Sequence, residues 1–281
     1  MTASHCVPFT AAEVGSFTDR LDRDGIIGLP GAFTRDWVTR LGEDIDAAFA
    51  EARARPDGAV GRGPSRYYVE IHPEQLRGFV ELATHPWITA VAEAVLGPAY
   101  RIVEVGFDVP LAGAVDQPWH RDFPAPEATT RHRRLTSLAV NVTAVDTEPD
   151  MGPFEIAPGT HWDDGSSFDH GMFPPRESYP RYRELATRKF PRMGDISIRS
   201  ALTVHRGTAN RSGKARPVLV LGLDAPGAGN DAQHDTAVTG EFWTSLPEPL
   251  RAHLACPIVD VLTPITQKHT IEGLVMGESG T

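Results

Sequence analysis

The first third of the chain carries helical signals. Thr10 and Glu13 stand at the reciprocal spacing of a capping box, which predicts a helix running from there to about Arg23. A short apolar run at 26–29 predicts a strand. Thr34 can cap a second helix, in which Trp37, Leu41, Ile45, Ala48 and Phe49 fall on one apolar stripe and which must end before Pro56. Past a glycine-rich link at 57–63, residues 67–71 look extended. Residues 76–96 look helical, with a break at His85-Pro86 because the residue before proline is pushed out of the helical region.

From Tyr100 the pattern changes. Residues 101–109, 135–145, 154–156, 195–204 and 218–223 are short β-branched or apolar runs separated by Gly, Pro and Asp, the mark of a sandwich or barrel. Residues 161–189 form a polar, aromatic and proline-containing stretch without clear period, and stretches of that length are usually lids or binding loops. One more helix is predicted at 240–255 in the C-terminal region.

The 281 residues are compatible with one domain, so the expected organisation is a helix-rich flank (1–98), a β core (99–224) with a lid (161–189), and a C-terminal extension (225–281). Charge narrows the partners. A formal net charge of −10 disfavours a general nucleic-acid binder, since phosphate recognition relies on clustered Lys and Arg. No stretch reaches the roughly 20 apolar residues that span a bilayer, and no basic-then-apolar leader is visible, so a cytoplasmic monomer or homodimer acting on a small molecule is expected. Cys6 and Cys256 lie in no C-x-x-C spacing, which argues against a disulfide framework or a sulfur-ligated zinc site.

Candidate chemistry centres on Trp119-His120-Arg121-Asp122-Phe123. An H-x-D step on extended backbone puts two ligand side chains on one face. With 11 histidines in the chain such a triplet arises readily by chance, and His161-Trp162-Asp163 is a second one. The first has downstream support: His205 closes a predicted strand, and Arg216 follows eleven residues later where the next strand begins. Neighbouring strands would make those two face one pocket. Two imidazoles and one carboxylate on one face of an octahedron leave three open positions, the arrangement of non-haem Fe(II) oxygenases. A keto acid can fill two and O2 the third, and an arginine fork suits the far carboxylate of 2-oxoglutarate. Gln117 is a second candidate contact for the co-substrate, and Tyr67, Tyr68 and Trp162 are candidate substrate-pocket residues, although aromatic residues also simply pack.

These residues carry a family resemblance. The W-H-x-D segment, the turn from Asp150-Met151-Gly152-Pro153 to Pro158-Gly159-Thr160-His161, and the block from Gly194-Asp195 to His205-Arg206-Gly207-Thr208-Ala209-Asn210-Arg211-Ser212 resemble the ordered motifs of the phytanoyl-CoA dioxygenase (PhyH) family of Fe(II)/2-oxoglutarate oxygenases. The resemblance implies a mainly β fold with flanking helices, a double-stranded β-helix or cupin-like jelly roll, with iron on His120, Asp122 and His205. It places Arg216 on 2-oxoglutarate and assigns His161 to a turn rather than to the metal. Departures from the family are informative. Val109-Pro110 stands where several relatives have a lysine before the proline, and Pro126 stands where ectoine-hydroxylating members have a tryptophan. Asp122 stands where halogenating relatives have Gly or Ala, which points to hydroxylation or a related oxidation. The implied activity is C–H oxidation of a small metabolite or biosynthetic intermediate, with succinate and CO2 released. Desaturation or cyclisation at the same iron, a zinc hydrolase using the same ligands, and a non-catalytic binding module remain the alternatives.

Overall fold

The computed structural model describes residues 9–268. Helix α1 spans Ala11–Asp24, and its capping box forms as the spacing requires: the Glu13 N–H donates to the Thr10 hydroxyl at 3.3 Å, and the Thr10 N–H donates to the Glu13 carboxylate at 2.8 Å. Gly25 ends it at φ 73°, where an added Cβ would lie 2.3 Å from the Thr203 hydroxyl and 2.5 Å from His161, so both backbone and packing demand glycine. Helix α2 (Arg35–Arg53) buries Trp37, Leu41, Ile45 and Ala48, as its stripe predicts. The predicted break at His85-Pro86 separates α3 (Phe79–Ala83) from α4 (Pro86–Leu96), and the His85 ring accepts the Trp87 N–H. Short helices α5 (Glu127–His132) and α6 (Tyr179–Leu185) lie between strands. The helix predicted at 240–255 is instead two pieces, α7 (Gly240–Ser245) and α8 (Glu248–Arg251). Pro247 forces Leu246 into an extended conformation and breaks the run.

The strands are β1 (Ile26–Leu29), β2 (Val60–Gly61), β3 (Arg66–Glu70), β4 (Arg101–Pro110), β5 (Ser137–Thr143), β6 (Phe154–Ile156), β7 (Thr187–Lys189), β8 (Ile196–Ser200), β9 (His205–Gly207), β10 (Val218–Asp224), β11 (Val238–Thr239) and β12 (Ile258–Val259). Seven of them form one antiparallel sheet in the order β1-β8-β5-β10-β4-β3-β2, and three form a smaller sheet in the order β7-β6-β9. Together with the flanking helices this is the jelly roll that the resemblance implies. β11 and β12 make a small parallel pair in the C-terminal segment, and residues 269–281 of that extension lie outside the described residues.

Alternation along the large sheet sorts its two faces. Leu219, Leu221 and Leu223 of β10 share one buried core with Val105 and Phe107 of β4, Val140 of β5, and Trp37, Leu41 and Trp87 of the helices. Their neighbours in sequence point the other way: Val218, Val220, Gly222 and Asp224 line a cavity of about 830 Å³. The pairing register sets one rung of that inner face as Ile26, Arg199, Ala139, Gly222 and Glu104 across five strands.

Two expectations change here. The run at 195–204 is not one strand, because β8 stops at Ser200 and the chain turns before His205 opens β9 in the smaller sheet. β9 and β10 are therefore not neighbours, and His205 and Arg216 meet the cavity from different sheets. The stretch at 161–189 is also more ordered than a bare loop. It holds α6 and β7, and Phe168 and Tyr182 pack with Trp119, Ala157 and Val204 in a second small core.

Candidate metal and co-substrate site

The segment 117–122 is extended along β9 without forming a regular strand. Gln117 and Gly207 exchange hydrogen bonds, the His120 and His205 backbones exchange N–H···O bonds of 3.0 and 2.9 Å, and the Asp122 N–H reaches the Ala201 carbonyl at 3.0 Å. This pairing sets the His120 and His205 rings side by side, with centroids 4.4 Å apart. One potential ligand atom from each of His120, Asp122 and His205 lies within 4.8 Å of the other two.

The two imidazoles are held alike. His120 Nδ1 meets the Pro118 carbonyl at 2.9 Å and His205 Nδ1 meets the Thr203 carbonyl at 2.8 Å, each two residues back in its own chain. A carbonyl only accepts, so Nδ1 carries the proton in both rings and Nε2 keeps its lone pair. Burial pushes both histidines down toward the neutral, ligating form. Burial alone would raise Asp122, but the charge of Arg199 outweighs it and holds the carboxyl far below the ordinary range. Arg199, on β8, donates to Asp122 Oδ2 at 2.6 Å, while Oδ1 lies 3.3 Å from His205 Nε2. With one oxygen tethered, the other is the one turned to the histidines. Two neutral imidazole nitrogens and one ionised carboxylate suit a divalent transition metal.

Arg216 is buried at 4 % exposure. Its Nε donates to the Met151 carbonyl at 3.2 Å, and the acid whose charge acts on it, Asp108, is already the ion-pair partner of Arg66 at 2.8 Å. Burial, with help from the charge of Arg66, pushes Arg216 down to about 10, which leaves it charged at neutral pH. A buried cation lining a cavity, without a carboxylate of its own among the described residues, matches the distal carboxylate of a dicarboxylic co-substrate.

The structure places Gln117, Tyr68 and Arg216 on the same cavity as the three metal-ligand candidates. Gln117 Oε1 is taken up by the Gly207 N–H at 2.9 Å, so only its amide N–H groups remain to offer a ligand. Tyr67 and Trp162 lie elsewhere. Tyr67 points to the other side of β3, against Phe49 and Arg53, and Trp162 donates to the Asp22 carbonyl at 2.9 Å and carries Arg133 over its ring. The second H-x-D step is a fastening. His161 reaches the Asp22 carbonyl at 2.8 Å, binding α1, and Asp163 pairs with Arg181 of α6. Arg199, Glu104, Met172 and Phe173 line the cavity but escaped the sequence reading. Arg199 left one readable trace, a lone charge at an inward position in an otherwise apolar and serine strand.

A jelly roll with a His-Asp-His cluster, two buried histidines and a half-buried aspartate that could hold a metal ion, defines the class of cupin-like proteins. The model of the phytanoyl-CoA dioxygenase (PhyH) family matches residues 21–218, and the chain belongs to that family. Over 149 residues it is 23 % identical to the ectoine dioxygenase of Stutzerimonas stutzeri (strain A1501), which covers 51 % of this chain and 49 % of that protein, so the chain matches about half the length of this curated relative. Solved structures show the same fold. The epimerase SnoN in complex with Fe3+, alpha ketoglutarate and nogalamycin RO has a TM-score of 0.59 at 24 % identity, covering 77 % of this chain and 85 % of that one. The alpha-ketoglutarate-dependent carbocyclase SnoK has a TM-score of 0.61 at 18 % identity, covering 80 % and 90 %. EctD from S. alaskensis with 2-oxoglutarate and 5-hydroxyectoine has a TM-score of 0.60 at 20 % identity, covering 80 % and 79 %. Among the described residues, no helix is long and apolar enough to cross a membrane.

Proposed function

We propose that this protein is an Fe(II)- and 2-oxoglutarate-dependent dioxygenase that oxidises an unactivated C–H bond of a small metabolite or natural-product intermediate, with hydroxylation as the principal outcome. The observation that carries this reading is one cavity holding both the cluster of buried His120 and His205 with half-buried Asp122 and the buried guanidinium of Arg216, which pairs with no carboxylate among the described residues. When bound, ferrous iron with 2-oxoglutarate and O2 supplies an oxidant able to take hydrogen from carbon, with succinate and CO2 as co-products. His120 and His205 would hold the metal through Nε2, and Asp122 through the oxygen that Arg199 leaves free. Arg216 would hold the far carboxylate of the co-substrate. Phe173, whose ring lies 6.1 Å from that of His120, covers the site from the 161–189 segment and is the first candidate there for excluding water and selecting substrate.

The test is spectroscopic and then chemical. Anaerobic addition of Fe(II) and 2-oxoglutarate is expected to give the weak visible band of the iron–keto-acid chelate in the wild type and none in Asp122→Ala. A wild-type protein without the band, or an Asp122→Ala variant with full turnover, would overturn the assignment. A zinc hydrolase would show no band, and a binding module would release no succinate with any substrate. A mass-spectrometric screen of candidate metabolites for substrate-dependent succinate then reads the reaction from the product: one oxygen gained for hydroxylation, two hydrogens lost for desaturation or ring closure, unchanged mass for epimerisation.

A further inference from the structure

The inner face of the large sheet carries a polar assembly that starts at the metal-ligand candidates and ends at a carboxylate that neither metal nor co-substrate binding uses. Arg199 and Glu104 stand on the same rung, on β8 and β4, with only Ala139 and Gly222 between them. Three strand spacings put their backbones about 14 Å apart. Arg199 is the residue that grips Asp122, so this rung begins at the metal site and ends at Glu104. Its floor is a trough of minimal side chains, and the adjoining rung is small at its ends, at Gly28, Ser197 and Gly106, while Asn141 and Val220 wall the middle of the trough.

The glycines under the far end are required by what lies above them. A Cβ at Gly222 would stand 2.8 Å from Glu104 Oε2 and 2.7 Å from its Cβ, and a Cβ at Gly106 would stand 2.2 Å from the Tyr68 hydroxyl. Tyr68 donates its hydroxyl to Glu104 Oε1, and the guanidinium of Arg62 stacks 4.3 Å over the Tyr68 ring. Tyr68, Glu104 and Gly222 line the same cavity as the His-Asp-His cluster. One carboxylate oxygen is therefore fixed by a phenol, while the other lies over a glycine at the end of a trough leading from the His120-Asp122-His205 cluster.

We propose that Glu104, held by Tyr68, is the specificity-determining residue of the substrate pocket and that it takes a protonated amino group of the substrate. This rests on the oxygenase reading above for the role of the cavity. A carboxylate is an acceptor only, and a charge-assisted contact is the strongest it can make. Burial raises Glu104, and the nearby charges of Glu70 and Asp122 add to that, whereas His234 and the Tyr68 hydrogen bond oppose it. A cationic ligand would relieve that penalty and a neutral one would not. The trough length limits the substrate to a compact molecule whose amino group and reacting carbon are separated by less than the width of the rung.

Isothermal titration calorimetry of the full chain with Fe(II) and 2-oxoglutarate, under anaerobic conditions, tests this with glucosamine, tyramine and cyclohexylamine, each beside its N-acetyl derivative. At least one amine is expected to bind about tenfold more tightly than its acetylated partner. Glu104→Gln is expected to erase that preference while leaving the affinity for 2-oxoglutarate unchanged. Three amines that bind no better than their amides, or a Glu104→Gln variant that keeps the preference, overturn the proposal. Should Glu104→Gln not fold, Tyr68→Phe carries the test: it is expected to weaken the preference about threefold, and an unaltered preference overturns the proposal. Failure of the oxygenase reading would show separately, as loss of the chelate band in the wild type.

Discussion

The two faces of the large sheet share every backbone hydrogen bond yet differ in kind. On the outer face, Val105, Phe107, Val140, Leu219 and Leu221 are at most 1 % exposed and lock against the helices. On the inner face, Glu104, Ala139, Asn141, Arg199 and Gly222 leave an open cavity with charges at its edges. Successive residues of one strand thus serve opposite ends, close packing on one side and a cavity with charged groups at its edges on the other. A register slip of one residue would exchange the two faces, so stability of the outer layer is what holds the inner geometry.

The largest effect expected from breaking this comparison comes from the outer face. Leu221→Ala should cost about 2–5 kcal/mol in urea unfolding while the folded fraction keeps its affinity for 2-oxoglutarate. A matching loss of affinity would mean that the faces are not independent. On the inner face, Arg216→Ala should raise the concentration of 2-oxoglutarate needed for half-saturation by about 30-fold or more, with the Fe(II) requirement little changed. Equal shifts in both titrations would assign the anchor to another residue.

Arg199→Gln should act between these two ligands. Losing the charge that tethers Asp122 Oδ2 is expected to lower metal affinity about 10- to 100-fold, measured by competition with a chromogenic chelator, and Arg199→Lys should recover part of it. Retention of full affinity in both variants would reduce Arg199 to a packing residue.

The smallest effect lies at the cavity edge, where His234 contacts Glu70 at 2.9 Å. Burial lowers His234, but the Glu70 hydrogen bond and the charges of Glu104, Glu70 and Asp224 prevail, so its folded value lies above the ordinary 6.5. The stabilisation is then complete below pH 6.5 and disappears as pH rises through the folded value. His234→Gln should melt a few degrees below the wild type near pH 6, about 2–4 °C, and the gap should close toward pH 9. A gap that is constant with pH would mean that the imidazolium charge contributes nothing.

Much of this was legible beforehand because the signals were local or chemical. The Thr10–Glu13 box, the α2 stripe and the His85-Pro86 break each depend on a few neighbouring residues, and each forms as read. The segment at 240–255 has enough helix-forming residues to look continuous, whereas in the chain Leu246 takes the extended conformation that a following proline favours and the helix divides there. Tyr67 and Tyr68 show a harder limit. Adjacent identical residues on a strand face opposite ways, and nothing in the pair says which one meets the cavity. Trp162 sits in a stretch without period, so its direction toward α1 had no signature.

By itself, the sequence determined the candidate ligand set: two histidines, an aspartate and an arginine in a fixed order, set in a β-rich core with helices before it. Residue type limits what a side chain can bind, and type is visible without coordinates. Only the tertiary structure decided that His205 and Arg216 approach the cavity from different sheets, that His161 and Asp163 are fastenings, and that Arg199 and Glu104 stand at the two ends of one rung. Those facts depend on which strands pair and in what register, and pairing is settled by the burial of whole faces rather than by any short run of residues.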